Sequence, residues 1–487
     1  MRTNARPHQQ PLRMIHRSVT IPGAENGNSL PMNRVAVGQP SCLQNLGGRD
    51  AARTGRLEAC PTWLRLVMKL KIFLVVFMLL FLATEARAEF RAAVAVRVVT
   101  PDPLLPVSGG VGPSNPVNRK EGDLTVRALV LADDNTKVAI VSADFLGFPS
   151  VLGDQARAKV KGIPPQNILI GATHTHSAPD CYGFPDHEGK FATDLKYVDF
   201  VCDRIADAIN EALAKLRPAS LKIATGEAKG KIAFNYYAEQ LYDPRCHVIQ
   251  AIGADGKPFA TLVNYAVHPE VLGSDTGILS PDLIGPLYDR IREQGGGTGI
   301  FMNSAQGGMV TADNRGPDGK SIRAWSECVR IGNLLADEAL RIVASAPEQE
   351  NPKLFCAAKA ISFPMDSPLL RAVMTNSPLH YPTKDPNHVA TQLNLVNIGN
   401  AQILTIPGEA LPNIGYYLKR KMRGRNNLLF GLTNDAFGYI LTRVDWGSFK
   451  RYDYVSRTSL GELTGEIYLD EALKLVLESP APEKPAQ

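Results

Sequence analysis

The sequence predicts an α/β protein in which a mixed β-sheet core is flanked by helices. Strand-like and helix-like segments alternate along residues 89–478, which is typical of this class. Two pairs of β-rich runs are joined by short polar turns at 133–135 and 254–256, as in hairpins. Polar residues able to bind ligands follow several predicted strand ends, and open α/β sheets bind ligands at that edge. We therefore expect the functional site at the C-terminal ends of strands.

Residues 68–88 have the features of a secretory signal peptide. Lys69 and Lys71 form a positive region, an apolar run spans 72–83, and Ala-Arg-Ala at 86–88 matches a cleavage site. The apolar run is shorter than the ~20 residues that a membrane-spanning helix needs. We expect a secreted or periplasmic protein whose mature chain starts at Glu89.

The chain preceding this signal lacks periodicity and has scattered Arg, Asn and Gly residues. Because Met68 sits directly before the signal, we interpret residues 1–67 as a non-native upstream extension or a disordered leader. The alternative is a long cytoplasmic arm followed by an uncleaved anchor. The basic balance belongs to residues 1–88, since the remainder carries 41 Lys/Arg against 44 Asp/Glu. The body therefore shows no basic surface for nucleic acid.

The body is predicted as one catalytic domain, 89–478, followed by a disordered tail, 479–487. The domain has five cysteines and no C-x-x-C pair, which argues against a thiolate zinc site. Its elements are predicted from periodicity and turn residues: a strand at 91–99, hairpins at 124–147 and 247–272, strands beginning near 167, 298, 401 and 426, and helices at 150–162, 194–216, 281–293, 322–346 and after the turn at 406–410.

The segment ILIGATHTHSAPD (168–180) ends an apolar run with two histidines at i and i+2. In an extended chain such side chains point the same way, so His174 and His176 face one point in space. Neutral imidazole is a common zinc ligand. The pair favours a metal site, and the plainer alternative is two hydrogen-bonded polar residues at a strand end.

Other polar residues follow later strands in the same manner. His268 ends VNYAVH, Glu409 follows a Pro-Gly turn, and Tyr439 lies in NDAFGYILT. Each has a simpler explanation alone: a hydrogen-bonded histidine, an acid in the first turn of a helix, and a packing tyrosine. The Gly-rich segment NSAQGG (303–308) is either a turn or a loop that surrounds a substrate.

Five segments together resemble the neutral/alkaline, non-lysosomal ceramidase family. They are ATHTHSAPD, VNYAVHPEVL, MNSAQGG, IPGEALPNIG and GLTNDAFGYILT, in the family's order, and the resemblance runs from about Ala92 to Thr458. It implies a secreted zinc amidase that cleaves the N-acyl bond of ceramide. It further implies a lipid or other small-molecule substrate, contact with a membrane surface through that substrate, and no protein partner.

The resemblance also implies roles for individual residues. The zinc ligands would be His174, His268, Glu409 and Tyr439, while His176 would face the substrate as the catalytic residue. Zinc would activate a water for attack on the amide carbonyl, and His176 would move a proton or hold the oxyanion. The residues expected to bind the substrate are Asn303, Gln306, Gly307, Gly308 and Thr311.

The chain departs from the family in three places. The loop after NSAQGG reads MVTADN, without the family's serine and with Thr311 as the nearest hydroxyl. Tyr236 follows Asn235 where the family has an arginine, and the immunoglobulin-like C-terminal domain has no counterpart. A different amide substrate, or a non-catalytic surface protein with a retained metal site, are therefore the alternatives. An amidohydrolase barrel also opens with H-x-H, but the hairpins argue against it.

Overall fold

Strands whose side chains alternate between two apolar faces, and helices with one apolar stripe, build the protein. The computed structural model describes residues 89–191, 193–382, 385 and 387–483. The strands are β1 Arg91–Val98, β2 Val107–Ser108, β3 Arg119–Lys120, β4 Thr125–Ala132, β5 Lys137–Ala143, β6 Ile168–Ala172, β7 Ala178–Pro179, β8 Arg217–Glu227, β9 Ala233–Asn235, β10 Arg245–Gly253, β11 Pro258–Tyr265, β12 Ile278–Leu279, β13 Thr298–Asn303, β14 Val310–Ala312, β15 Glu348–Gln349, β16 Leu354–Pro364, β17 His388–Ile398, β18 Ala401–Thr405, β19 Glu409–Ala410, β20 Asn426–Phe430 and β21 Tyr439–Ile440. The helices are α1 Ser150–Arg157, α2 Leu195–Ala214, α3 Ile284–Glu293, α4 Trp325–Ala344, α5 Pro368–Asn376, α6 Pro412–Lys421, α7 Asp453–Arg457 and α8 Thr464–Glu478.

Nine strands form a large mixed sheet in the order β13-β11-β10-β8-β1-β4-β5-β6, with β15 paired to β8. The central pairs are antiparallel, while β5 with β6 and β11 with β13 are parallel. Strand β4 shows why both faces must be covered. Val126 and Val130 lie in the core beneath the helices, and Leu129 and Leu131 lie in the core on the opposite face.

Helices cover the outer face of this sheet in two groups. Helices α1 and α2 pack over the half that contains β4 and β6, through residues such as Leu152 and Ile205. Helices α3 and α4 pack over the half that contains β10 and β13, through residues such as Leu287 and Leu335. Their apolar residues recur at three- and four-residue spacing and so form one stripe along each helix.

A second sheet of four strands, β16-β17-β18-β20, covers the inner face. Val396, Ile403 and Phe430 lie in the core shared with the large sheet. Its other face packs against α6 and α8. The fold is therefore a four-layer sandwich with two sheets between two layers of helices.

The predicted fold class is confirmed, with one addition. The hairpins β4–β5 and β10–β11 form as expected. The division of the strands into two main sheets was not predicted from the sequence. The first predicted helix, 150–162, is shorter, since α1 ends at Arg157. Within the described residues no helix is long and apolar enough to cross a membrane.

The ends of the chain bear on two further predictions. Residues 479–483, expected to be disordered, pack on the domain: the backbone N–H of Glu483 donates to the carbonyl of Gly399 at 2.9 Å, and Asn397 donates to the carbonyl of Pro480 at 2.8 Å. These backbone contacts, which a composition rich in Pro and charge did not predict, correct that assignment. The upstream extension 1–67, the signal peptide 68–88 and residues 484–487 lie outside the described residues.

The core between the two sheets is expected to dominate stability. Phe430 is completely buried there, and replacing it by alanine leaves a cavity that the stiff sheets cannot close. We expect Phe430→Ala to lower the free energy of unfolding by ~3–5 kcal/mol. Phe449→Ala is the matched control because Phe449 is 65% exposed, and its cost should stay below about 0.5 kcal/mol. Urea unfolding followed by circular dichroism measures both, and equal costs would contradict this description of the core.

Candidate metal centre

Four strands end at one edge of the sandwich and deliver the predicted ligands there. His174 and His176 follow β6, and His268 follows β11, both in the large sheet. Glu409 and Tyr439 follow β18 and β20 of the second sheet. Because β18 and β20 run parallel, their carboxyl ends meet at the same edge. The candidate centre thus lies where the two sheets face each other.

His174 is held by its backbone and by one ring nitrogen. Its φ of 75° lies in the left-handed region, which is uncommon for a residue with a Cβ and costs roughly 1–3 kcal/mol. Its backbone N–H donates to the carbonyl of Phe145 at 2.8 Å, and its Nδ1 lies 2.6 Å from the carbonyl of Leu146. A carbonyl can only accept, so Nδ1 carries the proton. Nε2 is then left as a free donor atom for a metal.

His268 is fixed in the same way by the neighbouring strand. Its Nδ1 lies 2.8 Å from the carbonyl of Val310, which also accepts the backbone N–H of His268 at 2.8 Å. Its Nε2 points at the carboxylate of Glu409, with 3.1 Å to Oε2. The same Oε2 lies 3.5 Å from Nε2 of His174. Two imidazole nitrogens and one carboxylate oxygen therefore converge in a buried place.

The charges of these groups suit a cation. Burial lowers the pKa of His174 to about 3, so this ring is neutral at physiological pH. Burial works to raise the pKa of Glu409, but the adjacent His174 and His268 bring it below its ordinary value. Burial likewise disfavours a charged His268, yet its hydrogen bond to Glu409 raises the pKa of that ring. The carboxylate is therefore ionised, and among the described residues the basic side chains within 4 Å of it are these two histidines, as expected where a divalent ion binds.

His176 lies beside this group and offers a further nitrogen. One ring nitrogen of each of His174, His176 and His268 lies within 4.8 Å of the others, so the three could hold a metal ion. Nδ1 of His176 lies 3.5 Å from Oε2 of Glu270, and its Nε2 has no hydrogen-bond partner among the described residues. Burial lowers the pKa of His176 to about 3. Its free nitrogen can therefore accept a proton or complete a metal's ligand set.

Tyr439 lies next to Glu409, because β19 and β21 pair these two residues directly. Its ring is buried, and its hydroxyl donates to the sulfur of Met309 at 3.3 Å. Burial raises the pKa of Tyr439 well above its ordinary value. The ligand role that the resemblance implies for Tyr439 stays a prediction.

Residues of the segment NSAQGG hydrogen-bond to the strand ends that surround the candidate centre. Asn303, predicted to bind substrate, is fully buried, and its side-chain amide donates to the carbonyls of Thr173 and Val267 at 3.0 and 2.7 Å. In the structure this amide joins the strand ends that carry the histidines, and the substrate-binding role of Asn303 stays a prediction. Gly307 donates its N–H to the carbonyl of Ala410, and a Cβ there would approach the carbonyl of Glu409 to 2.2 Å.

The remaining predicted substrate residues are spread over three places. Gln306 is fully buried, and both polar atoms of its amide lack partners among the described residues. Gly308 has a φ of 67°, which a glycine adopts without strain, and follows the tight approach at Gly307. Thr311 pairs with His268 through a β-bridge and lines a separate cleft.

An apolar cavity opens onto the centre. His174, His176, Glu409 and Tyr439 form part of its wall. Its other walls are largely apolar and aromatic: Leu146, Tyr182, Phe184, Val373, Met374, Tyr381, Phe437 and Leu460. The role of these residues as cavity walls was not predicted from the sequence, because they come from separate loops and helix α5. Tyr182 and Phe184, which follow the histidine pair in a Gly/Pro loop, were the only local signal.

The chain resembles known proteins in part of its sequence. It is 27% identical over 176 residues to neutral ceramidase B and 29% identical over 183 residues to neutral ceramidase A, both from Dictyostelium discoideum. The matches cover 31% and 32% of this chain and 24% and 25% of those proteins. The matched chain therefore spans about a quarter of the length of these curated relatives. No family model matches the chain.

The fold is similar to two solved structures. One is the neutral ceramidase from Pseudomonas aeruginosa, with a TM-score of 0.66, 16% identity, and coverage of 82% of this chain and 76% of that one. The other is a ceramidase complexed with C2, with a TM-score of 0.64, 17% identity, and coverage of 82% and 77%. At these identities the likeness establishes the α/β fold.

Replacement of the two histidines that face Glu409 tests the centre directly. We expect His174→Ala and His268→Ala to lose zinc affinity by more than the roughly 10–100-fold that changing an outer partner of a ligand costs. Metal analysis after equilibrium dialysis of the purified chain measures this. His388→Ala is the control, since that ring is half exposed on β17. Unchanged zinc in His174→Ala would exclude that residue as a ligand, and loss in His176→Ala would favour the three-histidine set.

Proposed function

The chain is a relative of the neutral ceramidases, as its motifs predict, and from this premise we propose that it is a metal-dependent hydrolase of N-acyl (amide) bonds. The observation that carries the proposal is the convergence of His174, His268 and Glu409 at the wall of an apolar cavity. The donors fit a divalent ion, because both histidines have their outer nitrogens hydrogen-bonded to carbonyls and their inner nitrogens directed at the carboxylate of Glu409. Zinc is proposed because it suits mixed nitrogen and oxygen donors.

A bound divalent ion would polarise the carbonyl of the scissile amide and lower the pKa of a nearby water. The residues of the chain supply the other requirements. The apolar cavity holds the acyl chain and excludes bulk water from the amide. In the hydrolysis, the oxygen of a water joins the acyl carbon and the C–N bond breaks. Nε2 of His176, which has no hydrogen-bond partner in the described part of the chain, takes the water's proton and passes it to the amine nitrogen.

The cavity favours a lipid-like acyl group as the substrate's larger part. Its walls combine leucine, methionine and aromatic side chains with few polar atoms, and burial of each methylene contributes ~0.8 kcal/mol. The names of the related proteins agree with a substrate of the ceramide kind. We propose the N-acyl bond of a fatty amide as the target.

Release of fatty acid with and without a chelator tests the function. We expect the purified, zinc-loaded chain to release lauric acid from N-lauroyl amides, and prior removal of the metal should abolish the release. His176→Ala should retain zinc and lose ~10²–10⁴-fold in turnover, which is the usual contribution of a proton-transferring side chain. His388→Ala again serves as the control.

Two results would contradict this proposal. Full activity after verified removal of the metal would refute metal dependence. A zinc-loaded protein that releases nothing from any N-lauroyl amide would favour a non-catalytic role.

Export is a separate part of the proposal and rests on the signal-like residues 68–88. In a host that secretes proteins, we expect the mature chain to begin at Glu89, because cleavage follows small residues at Ala86 and Ala88. N-terminal sequencing of the recovered protein measures this. Ala88→Arg, which blocks a small-residue cleavage site, should leave the precursor uncut. A mature chain that retains residues 69–88 would overturn the prediction.

A further inference from the structure

A second cleft borders the candidate centre, next to Glu270, Met309 and Thr311. Its walls combine charged, polar, aromatic and apolar side chains and include Phe234, Tyr236, Glu270, Met309, Thr311, Arg315 and Arg323. None of the leucines or phenylalanines that line the apolar cavity takes part in this wall. The two spaces therefore differ in chemistry.

Two side-chain contacts, His176 with Glu270 and Tyr439 with Met309, connect the wall of the apolar cavity to the wall of the cleft. His176 lines the apolar cavity and lies 3.5 Å from Glu270, which lines the cleft. Tyr439 lines the cavity and donates to Met309, which lines the cleft. Thr311 of the cleft is bridged to His268. An amide held at His176 would thus have the cavity on one side and the cleft on the other.

The arginines of the cleft are already matched by acids. Arg315 donates from Nε and Nη2 to Asp313 at 2.9 and 2.8 Å, and from Nη1 to Glu239 at 3.0 Å. Arg323 donates to Asp275 and to the carbonyl of Leu272. These guanidinium groups therefore have little capacity left for a negatively charged ligand.

Glu270 differs from these acids. Among the described residues, the only basic side chain within 4 Å of its half-buried carboxylate is the neutral ring of His176, and Glu270 faces the cleft. A carboxylate accepts hydrogen bonds and repels anions. Tyr236, whose side chain is 66% exposed beside it, offers an aromatic face against which a polar ring can pack. A hydrocarbon chain laid here would strip water from charged groups without replacing their hydrogen bonds.

We propose that this cleft binds the amine half of the substrate, and that this half is a neutral, hydroxylated amine such as an amino sugar, without a second hydrocarbon chain. The inference rests on the proposed amide hydrolysis and adds the leaving-group class to it. Glu270 and Tyr236 select this group: the carboxylate accepts its hydroxyl protons, and the ring packs against its apolar face.

Three substrates with one acyl chain test the assignment, because all release lauric acid. They are N-lauroylglucosamine, which is neutral and hydroxylated; N-lauroylsphingosine, which has a second hydrocarbon chain; and N-lauroylglycine, which is anionic. The zinc-loaded full chain is assayed in mixed micelles of one detergent, and kcat/KM is measured for each. We expect the glucosamine compound to exceed each of the others by at least about tenfold, the worth of one hydrogen bond to a charged group.

Two variants distinguish selection of the substrate by the cleft from an indirect effect through displacement of His176. Glu270→Gln and Tyr236→Ala should each lower the ratio of kcat/KM for the glucosamine compound to that for the sphingosine compound, by about tenfold for Glu270→Gln. A change that acted only by displacing His176 would lower all substrates equally and leave this ratio unchanged. Glu293→Gln, an exposed acid on α3, is the control for the loss of one charge.

The outcomes are distinguishable. Preference for N-lauroylsphingosine or N-lauroylglycine, or a ratio that neither variant changes, overturns the assignment of the cleft while amide hydrolysis stands. Release from none of the three substrates by a zinc-loaded protein overturns the proposed function and this inference with it. Preference for the glucosamine compound that falls in both variants supports the assignment.

Discussion

The structure around the candidate site depends on one buried carboxylate. Glu409 follows β18 of the second sheet, yet its carboxylate is contacted by His174 and His268, which follow β6 and β11 of the large sheet. An ion buried without such partners costs several kcal/mol, so the two sheets must stay in register at this edge. The apolar core between the sheets holds that register, and the histidine rings are locked because carbonyls accept from their outer nitrogens. Packing in the core between the two sheets therefore determines whether the donor atoms of His174, His268 and Glu409 converge.

Buried side-chain amides also hold the two sheets together, because they donate hydrogen bonds to backbone carbonyls. Nδ2 of Asn264 lies 2.8–2.9 Å from the carbonyls of Met302, Asn303 and Leu429, and so ties β11 and β13 of the large sheet to β20 of the second. Asn303 then connects the segments that precede the two histidines. Such contacts use all the hydrogens of an amide and leave no room for a longer side chain. The polar residues near the site are thus largely scaffold, and the reactive groups are few.

The parts of this arrangement that were predictable are those with local signals. The strand exits at His174, His268 and Glu409 follow apolar runs, and turn residues marked the two hairpins. The division into two sheets was not predictable, because pairing between β16 and β17 joins strands on either side of α5. The hydrogen bond from Asn303 to the carbonyl of Thr173 was not predictable, since the two residues lie 130 positions apart. Glu270, two residues after His268, was missed because no spacing rule connects it to His176.

The contrast between the two spaces beside the centre also bears on how an amide is oriented before reaction. An acyl chain gains ~0.8 kcal/mol for each methylene buried in the apolar cavity, and a polar group gains nothing there. In the cleft, a polar group is favoured over a hydrocarbon chain. A hydrocarbon chain removes water from Glu270 and the paired arginines, whereas hydroxyl groups replace the hydrogen bonds of that water. Under the proposed function, transfer free energy would align a substrate that has one apolar and one polar end. This alignment would bring the C–N bond beside Nε2 of His176, so that solvation of the two ends and the contacts of Glu270 and Tyr236 would together select the bond to be cleaved.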